Sequence, residues 1–188
     1  MSKLIEPTYL ACDPGINSCG LAIFTIQEKS ITVKETHLVN NIRKFTEEEK
    51  VIEKKYTSRL VKVNSIFNKF KEIITSNKID CIIVEAPFYN ALTPVAYGSL
   101  LEVITIIKYN IAYANDLEFM LLEPLYIKKV FTNAAMAKKH VIKEFLIKKK
   151  ADGSIILEKD IETMSEHEID AVAIAFSYTC IMRNGGVK

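Results

Sequence analysis

Residues 9–26 read YLACDPGINSCGLAIFTI, and this stretch predicts the first half of a β-sheet. Two apolar runs flank a polar segment that contains Pro14 and Gly15, residues typical of a turn. A third strand-like run, ITVKETHLV, follows after a short polar stretch. We therefore predict an antiparallel meander of three strands, at 9–12, 20–26 and 31–39.

The next part of the chain predicts a helix and a buried strand. Thr46 and Glu49 form a capping-box pattern, and apolar residues then recur at helical spacing, which predicts one long amphipathic helix over 46–76. The segment IDCIIVE at 79–85 is short and mostly apolar, as in a strand buried on both faces. Strand, helix and strand in this order indicate a parallel pair, whose carboxyl ends meet at one edge of the sheet.

The remaining elements complete an α/β fold. Ser165 and Glu168 form a second capping-box pattern, which predicts a helix that ends near Met182. We predict a mixed five-stranded sheet, three antiparallel strands and then two parallel ones, flanked by helices, in a single domain over residues 1–188. The other predicted elements are helices at 94–110, 125–131 and 137–149, a strand at 119–123 and a turn or small hairpin at 151–157.

Composition places the chain among ordinary globular proteins. A net charge of +2 is too small to indicate a nucleic-acid partner by itself. The four cysteines are scattered and form no CxxC pair, which indicates a reduced compartment rather than a disulfide framework. The first ten residues lack the apolar core of a signal peptide, and no uninterrupted apolar run reaches about 20 residues. We expect an intracellular, cytoplasmic protein without a membrane segment.

Charge is unevenly distributed near the C-terminal end. Residues 128–150 contain eight lysines and one acid, Glu144, whereas residues 152–170 contain seven acids and one base, Lys159. A basic block followed by an acidic block would suit a phosphate-binding rim beside a metal cavity. The same pattern would also arise from two solvated faces of opposite charge, and composition does not choose between them.

Asp13 directly follows the first of the two predicted parallel strands, and Glu85 is the last residue of the second. Their carboxylates are therefore expected at the same sheet edge. Asp13 could instead cap its own turn. Glu85 would be partly buried and needs a partner, either a metal ion or a lysine.

His167 and Asp170 lie three residues apart and therefore share a helix face. Asp170 precedes an apolar stretch and should point inward, whereas His167 could be a ligand or an ordinary surface residue. Clustered carboxylates are tolerable when cations neutralise them, and oxygen-rich sites suit Mg²⁺ or Mn²⁺. Two such ions, about 3.5–4 Å apart, can drive phosphodiester hydrolysis. The sequence thus predicts a metal-dependent nuclease.

Three segments in this order resemble the RuvC family of Holliday junction resolvases, which have the ribonuclease-H-like fold. They are CDPGINSCG at 12–20, VEAPF at 84–88 and HEIDAVAIA at 167–175, and the resemblance extends from about residue 9 to residue 179. It implies a two-metal site, for Mg²⁺ or Mn²⁺, formed by Asp13, Glu85, His167 and Asp170. His167 stands where many bacterial members have a carboxylate, which would favour Mn²⁺.

The resemblance also implies how DNA is bound. Lys128 and Lys139 match a lysine pair that would hold the scissile phosphate or stabilise its developing charge, so Lys139 joins the predicted catalytic residues. Lys138 adds a further positive charge beside them. Phe88 matches a residue that presses against bases, although it could equally be a core residue. The implied partner is a four-way DNA junction, cut by a homodimer whose interface could use the helices at 46–76 and 94–110.

The family pattern is not matched everywhere. Asn133 occupies a place where glycine is common, which asparagine can fill because it tolerates positive φ. The 148–164 connection is longer and more acidic than in bacterial members, and the resemblance assigns it no role. Its length and the lysine-rich composition would fit a viral or phage relative.

Three other functions are compatible with parts of the pattern. A related ribonuclease-H-like nuclease, including the YqgF type, would act on RNA or hybrids. A non-catalytic junction-binding protein could keep the fold, although all four candidate metal positions carry ligating side chains. An actin-like or sugar-kinase-like ATPase needs a second domain, for which 188 residues leave no room.

Overall fold

A mixed sheet of six strands, in the order β5-β4-β1-β2-β3-β6, forms the centre of the protein. The structure is a computed structural model that describes residues 6–89, 91 and 94–185. The strands are β1 (Thr8–Asp13), β2 (Ser18–Ile26), β3 (Ile31–Asn40), β4 (Cys81–Glu85), β5 (Glu118–Leu122) and β6 (Ile155–Leu157). The helices are α1 (Glu47–Lys55), α2 (Ser58–Ser76), α3 (Pro94–Ile106), α4 (Pro124–Thr132), α5 (Lys139–Ala151) and α6 (Glu166–Arg183).

The predicted fold class is confirmed. Strands β1, β2 and β3 form the antiparallel meander, with Asp13 opposite Gly20. Strand β4 runs parallel to β1, with Cys12 beside Val84, and β5 runs parallel to β4. The carboxyl ends of β1 and β4 therefore lie side by side, as the strand–helix–strand order predicts.

The sheet has one strand more than predicted, because β6 pairs in parallel with the start of β3. Residues 151–157 were predicted to form a turn or hairpin. The turn is present, with Gly153 at φ 76°, but Ile155–Leu157 join the sheet, and the side chains of Ile155 and Leu157 are buried. A three-residue strand is too short for periodicity to reveal, since only its distant partner defines it.

The single long helix predicted over 46–76 is wrong, because the segment forms two helices, α1 and α2. Tyr56 departs from helical geometry, with φ −122° and ψ −88°. Thr57 then caps α2, and its side chain accepts a hydrogen bond from Leu60 N at 3.2 Å. The predicted capping box at Thr46 and Glu49 is confirmed. The apolar spacing continues across the break, so periodicity alone could not show it.

Helix α3 continues through a π-helical segment, Ile107–Ala112, and a short 3₁₀ turn. By length and composition alone, the helical stretch Pro94–Asn115 is long and apolar enough to cross a membrane, and about a third of its most apolar part is buried in the protein. The sequence was not expected to contain such a stretch, because charged residues interrupt its apolar run. A helix that packs in a protein core can have the same length and hydropathy, and Val103, Ile107 and Ile111 of this stretch belong to the core beside the sheet.

Both faces of the sheet are covered. Along β1, Ala11 belongs to the core shared with α4, α5 and α6, whereas Leu10 and Cys12 belong to the core shared with α2 and α3. This alternation is the ordinary consequence of the strand repeat of two residues. Because α6 lies across β1 and β2, its first turn comes to the edge at which β1 and β4 end.

Candidate active site

A cavity of about 200 Å³ lies at the carboxyl ends of β1 and β4, against the start of α6. Apolar side chains of α4, α5 and α6 form part of its wall. The charged groups that line it include all four predicted metal-binding side chains and two predicted DNA-binding lysines: Asp13, Glu85, His167, Asp170, Lys128 and Lys139. Folding therefore brings together residues that are far apart in the sequence.

Asp13 is the last residue of β1 and is only 8% exposed. Its Oδ2 lies 2.6 Å from Nδ1 of His167. This hydrogen bond, together with the negative charge of Asp13, raises the pKa of His167 against the opposing effect of its partial burial. The two side chains thus form a charge-assisted pair that joins the strand end to the helix start.

Glu85 and Asp170 are held in an environment that disfavours their charged forms. Burial, with repulsion from Asp13 and Asp170, raises the pKa of Glu85 to about 8, although Lys128 acts in the opposite direction. Burial and repulsion from Asp13 likewise raise the pKa of Asp170 to about 6. Acids with raised pKa values in one cavity are typical of functional sites, because a bound cation can supply the missing compensation.

Local sequence explains why α6 begins where it does. The Ser165 hydroxyl accepts a hydrogen bond from Glu168 N, and the Glu168 carboxylate accepts one from Ser165 N, which completes the predicted capping box. Strand β2 and this helix approach each other closely at Gly20, where an added Cβ would collide with the carbonyl oxygen of His167. Gly20 is a site-forming residue that sequence reasoning missed, since only the close approach shows why a side chain is excluded.

The donor set of this cavity fits a hard divalent cation, because three carboxyl groups and an imidazole are suitable ligands for Mg²⁺ or Mn²⁺. The side chains surround the cavity without closing on one point: in 6–89, 91 and 94–185, no three His, Cys, Asp or Glu residues are arranged to hold a metal ion. The contact between His167 and Asp13 uses Oδ2 of Asp13 and Nδ1 of His167, so His167 would bind a metal ion through Nε2.

The predicted lysines are placed differently from one another. Lys128 lines the cavity from α4, whereas Lys138 is exposed at the N-cap of α5 and is not among the lining residues. Lys139 lines the cavity and also donates to Glu166 at 3.0 Å, a hydrogen bond that raises the pKa of Lys139. Asn133, between α4 and α5, has φ 60°, so its predicted positive φ is confirmed.

The basic block at 128–150 and the acidic block at 152–170 face each other. Besides the Lys139–Glu166 pair, Lys143 lies 2.7 Å from Glu162. Neither alternative considered from the sequence anticipated these contacts. Part of the basic block is used to attach α5 to the acidic segment, and part of it borders the cavity.

No protein-family profile matches the chain, and no curated protein sequence matches it significantly. Solved structures do match. RuvC of Thermus thermophilus in complex with a Holliday junction substrate superimposes with a TM-score of 0.69 at 18% identity, over 97% of this chain and 98% of that one. The chain has the RuvC fold.

A eukaryotic resolvase and a viral resolvase share this fold. The yeast mitochondrial Holliday junction resolvase Ydc2 superimposes with a TM-score of 0.61 at 16% identity, over 93% of this chain and 79% of that one. The fowlpox virus Holliday junction resolvase gives 0.56 at 13% identity, over 93% and 99%. At these identities the comparisons establish the fold, and the site rests on the geometry of this chain.

Beside the cavity, this version of the RuvC fold carries an open apolar groove. Phe88 is 64% exposed and lines it, so the alternative that Phe88 is a core residue is wrong. Leu125 and Met136 are also exposed in the groove, and Glu85 and Lys128 connect it to the cavity. Sequence reasoning missed Leu125 and Met136, because an apolar residue at a helix start or in a loop is normally assigned to the core, and only the structure shows that these two are exposed.

Proposed function

We propose that this protein is a structure-selective endonuclease that cuts four-way DNA junctions by metal-dependent phosphodiester hydrolysis. The observation that carries the proposal is the cavity at the edge of a RuvC-fold sheet, where Asp13, Glu85, His167 and Asp170 lie together with two lysines. Structures of this fold have been solved with junction DNA bound, one from Thermus thermophilus and one from fowlpox virus.

The acids and His167 would hold Mg²⁺ or Mn²⁺, two ions in the proposed mechanism. Such ions supply an activated water and stabilise the leaving oxygen of a phosphodiester. The raised pKa values of Glu85 and Asp170 support this role, because Lys128 at Glu85, and Lys139 with His167 at Asp170, offset the effects of burial and repulsion only in part. Asp13, held by β1 and by its contact with His167, would be one ligand, and Glu85, His167 and Asp170 line the same cavity.

The lysines would bind the scissile phosphate. Lys128 lies at the junction of cavity and groove, where it can hold the DNA backbone beside the acids. Lys139 is paired with Glu166, but both side chains are more than half exposed, at 58% and 69%. Exposed pairs contribute little stability, so Lys139 can exchange Glu166 for a phosphate at small cost. Lys138, exposed beside it, would add long-range attraction for DNA.

Phe88 would stack on bases near the cut. An aromatic ring that is largely exposed and adjacent to a cationic site is a suitable platform, since every base offers a π-face. The groove that Phe88 lines extends directly from the cavity, so a base stacked there would belong to a nucleotide near the scissile phosphate.

The proposal includes a homodimer that cuts two opposed strands, within an intracellular setting and as a single domain. Helix α3 and the helical segments after it leave several large apolar residues exposed, and these would supply a contact surface: Val95, Leu101, Tyr109 and Tyr113. An ion pair between Arg59 and Glu102 joins α2 to α3 and would form part of the same surface.

The central test is cleavage of a mobile four-way junction by the purified chain in Mg²⁺ or Mn²⁺, beside flap, duplex and RNA–DNA hybrid substrates. We expect cutting of the junction, and we expect Asp13→Asn to abolish cutting while junction binding remains. Asp116→Asn is the matched control, because Asp116 is exposed at a positive φ that asparagine also tolerates.

Each alternative has its own outcome. Failure of the intact protein to cut any branched DNA would exclude the resolvase, and junction binding without metal binding would identify a non-catalytic binding protein. Preferential cutting of RNA or hybrids would assign the site to a related nuclease of the same fold.

A further inference from the structure

A buried carboxylate, Glu168, lies in the first turn of α6 and is only 4% exposed. Its Oε1 accepts hydrogen bonds from the Thr36 hydroxyl at 2.7 Å and from Lys159 Nζ at 2.6 Å. Its Oε2 accepts from the backbone N–H and the hydroxyl of Ser165, both at 3.0 Å. Each oxygen therefore has two donors, and Lys159 is the cation among them.

These contacts fix one turn of helix to two other parts of the protein. Thr36 belongs to β3, so it ties Glu168 to the sheet. Lys159 comes from the 148–164 connection, to which the family resemblance assigns no role. Glu168 directly follows His167 and lies two residues before Asp170, so a movement of this turn would move both cavity residues.

The segment that contains Lys159 is itself held in place by contacts with β3 and α5. Strand β6 pairs with β3 just before it, and Lys150 Nζ of α5 donates to the carbonyl of Lys159 at 3.3 Å. The absence of a side chain at Gly20 lets the His167 backbone lie against β2. The turn is thus held both by its close approach to β2 and by the contacts of Glu168 with Lys159 and Thr36.

We propose that Lys159 and Glu168 are positioning residues that set the place of His167 and Asp170 in the cavity. The proposal rests on the proposed function, because it assumes that these two residues bind metal. Removing Lys159 would leave a buried carboxylate with hydroxyl and backbone donors only, which is a costly arrangement that the helix start can relieve by shifting. Partners that orient metal ligands typically change metal affinity or activity about 10–100-fold when they are removed.

The test compares Lys159→Ala with Lys159→Arg and with Lys143→Ala. Lys143 is the matched control, because it forms a lysine–glutamate ion pair with the same segment but through Glu162, whose side chain is 69% exposed. Mn²⁺ binding to the DNA-free protein is measured by calorimetry, and single-turnover junction cleavage is measured together with junction affinity.

We expect Lys159→Ala to weaken Mn²⁺ binding and to slow single-turnover cleavage by about 10-fold each, with junction affinity unchanged. Arginine should restore both values to within about threefold, since it keeps the charge and the reach. Lys143→Ala should leave both values within about twofold of the unchanged protein.

Unchanged Mn²⁺ affinity and cleavage in Lys159→Ala would overturn the proposal, as would an equal loss in Lys143→Ala. If Lys159→Ala does not fold, Thr36→Val replaces it, because it removes one donor to the same oxygen and keeps the side-chain shape. If the unchanged protein binds no Mn²⁺, the proposed function fails separately. Amide hydrogen exchange of residues 167–170 then tests whether Lys159 and Glu168 hold the first turn of α6. Equal amide protection in Lys159→Ala and Lys143→Ala would reject the positioning role.

Discussion

The imidazole Nδ1 of His167 lies 2.6 Å from Oδ2 of Asp13, although 154 positions separate the two residues in the sequence. This contact joins the end of the central strand to the start of the last helix. It also defines the wall of the cavity in which Glu85 and Asp170 have raised pKa values. The predictions below follow from that arrangement.

Replacing His167 with aspartate should change metal preference. Aspartate offers oxygen ligands only and adds a negative charge, which favours Mg²⁺ relative to the softer imidazole-containing site. We expect His167→Asp to lower the ratio of the junction cleavage rate in Mn²⁺ to that in Mg²⁺ by about 10-fold. The measurement is single-turnover cleavage in each metal, and an unchanged ratio would remove His167 from the proposed ligands.

Glu85 should make the metal-free protein less stable as the pH rises. Its pKa is raised from 4.5 to about 8, so the folded state binds this proton more tightly than the unfolded state does. The stability that the protonated form provides is complete below the unfolded pKa of 4.5 and is lost as the pH rises through about 8. Urea unfolding of the protein in chelator, at about pH 5 and about pH 9, measures the loss.

The variant Glu85→Gln isolates this effect. Without an ionisable group at position 85, the free energy of unfolding at about pH 9 should rise by on the order of 1–2 kcal/mol, with little change near pH 5. Mn²⁺ should stabilise the unchanged protein at high pH by mass action, and Glu85→Gln much less. A metal-free protein whose stability does not depend on Glu85 at any pH would contradict the electrostatic account of the cavity.

Gly20 should be intolerant of even one added methyl group. The Cβ of Gly20→Ala would meet the backbone of His167 in a buried contact, which we expect to reduce the free energy of unfolding by about 1–3 kcal/mol and to impair cleavage. Gly98→Ala is the control, because a Cβ on this exposed helical residue would have no neighbour within 4 Å. Gly98→Ala should stabilise the protein by about 0.5–1 kcal/mol. Thermal unfolding of both variants checks the contrast.

Lys139 should matter for cleavage and hardly at all for stability. Its pair with Glu166 is largely exposed, so Lys139→Ala should leave the melting temperature unchanged while it slows cleavage by about 10–100-fold. Glu166→Gln removes the same ion pair from the other side and should leave the rate unchanged or slightly raised. Equal slowing in both variants would mean that the ion pair, and not a phosphate contact, is what cleavage requires.

Local sequence patterns determined most of the elements and the class of the fold. The strands of the meander and both capping boxes depend on neighbours within a few residues, so turn chemistry and apolar spacing could predict them. The parallel pairing of β1 with β4 joins residues 72 positions apart, and the order strand, helix, strand predicted it. The positive φ of Asn133 is local in the same way. The break at Tyr56 was missed because the apolar spacing runs through it, and β6 was missed because its hydrogen bonds go to a strand more than a hundred residues earlier.

In the candidate site, too, the sequence predicted some features and the tertiary structure decided others. Which residues could bind metal was readable from residue type and from the ends of predicted strands and helices. Their actual relationships were decided by the tertiary structure: Asp13 engages His167, Lys139 engages Glu166, and Lys159 reaches the buried Glu168. A sequence records which groups are available. Burial and close approach determine which of them meet, because the pKa of an acid, the need for a partner and the space for a side chain all depend on neighbours that the chain brings from far away.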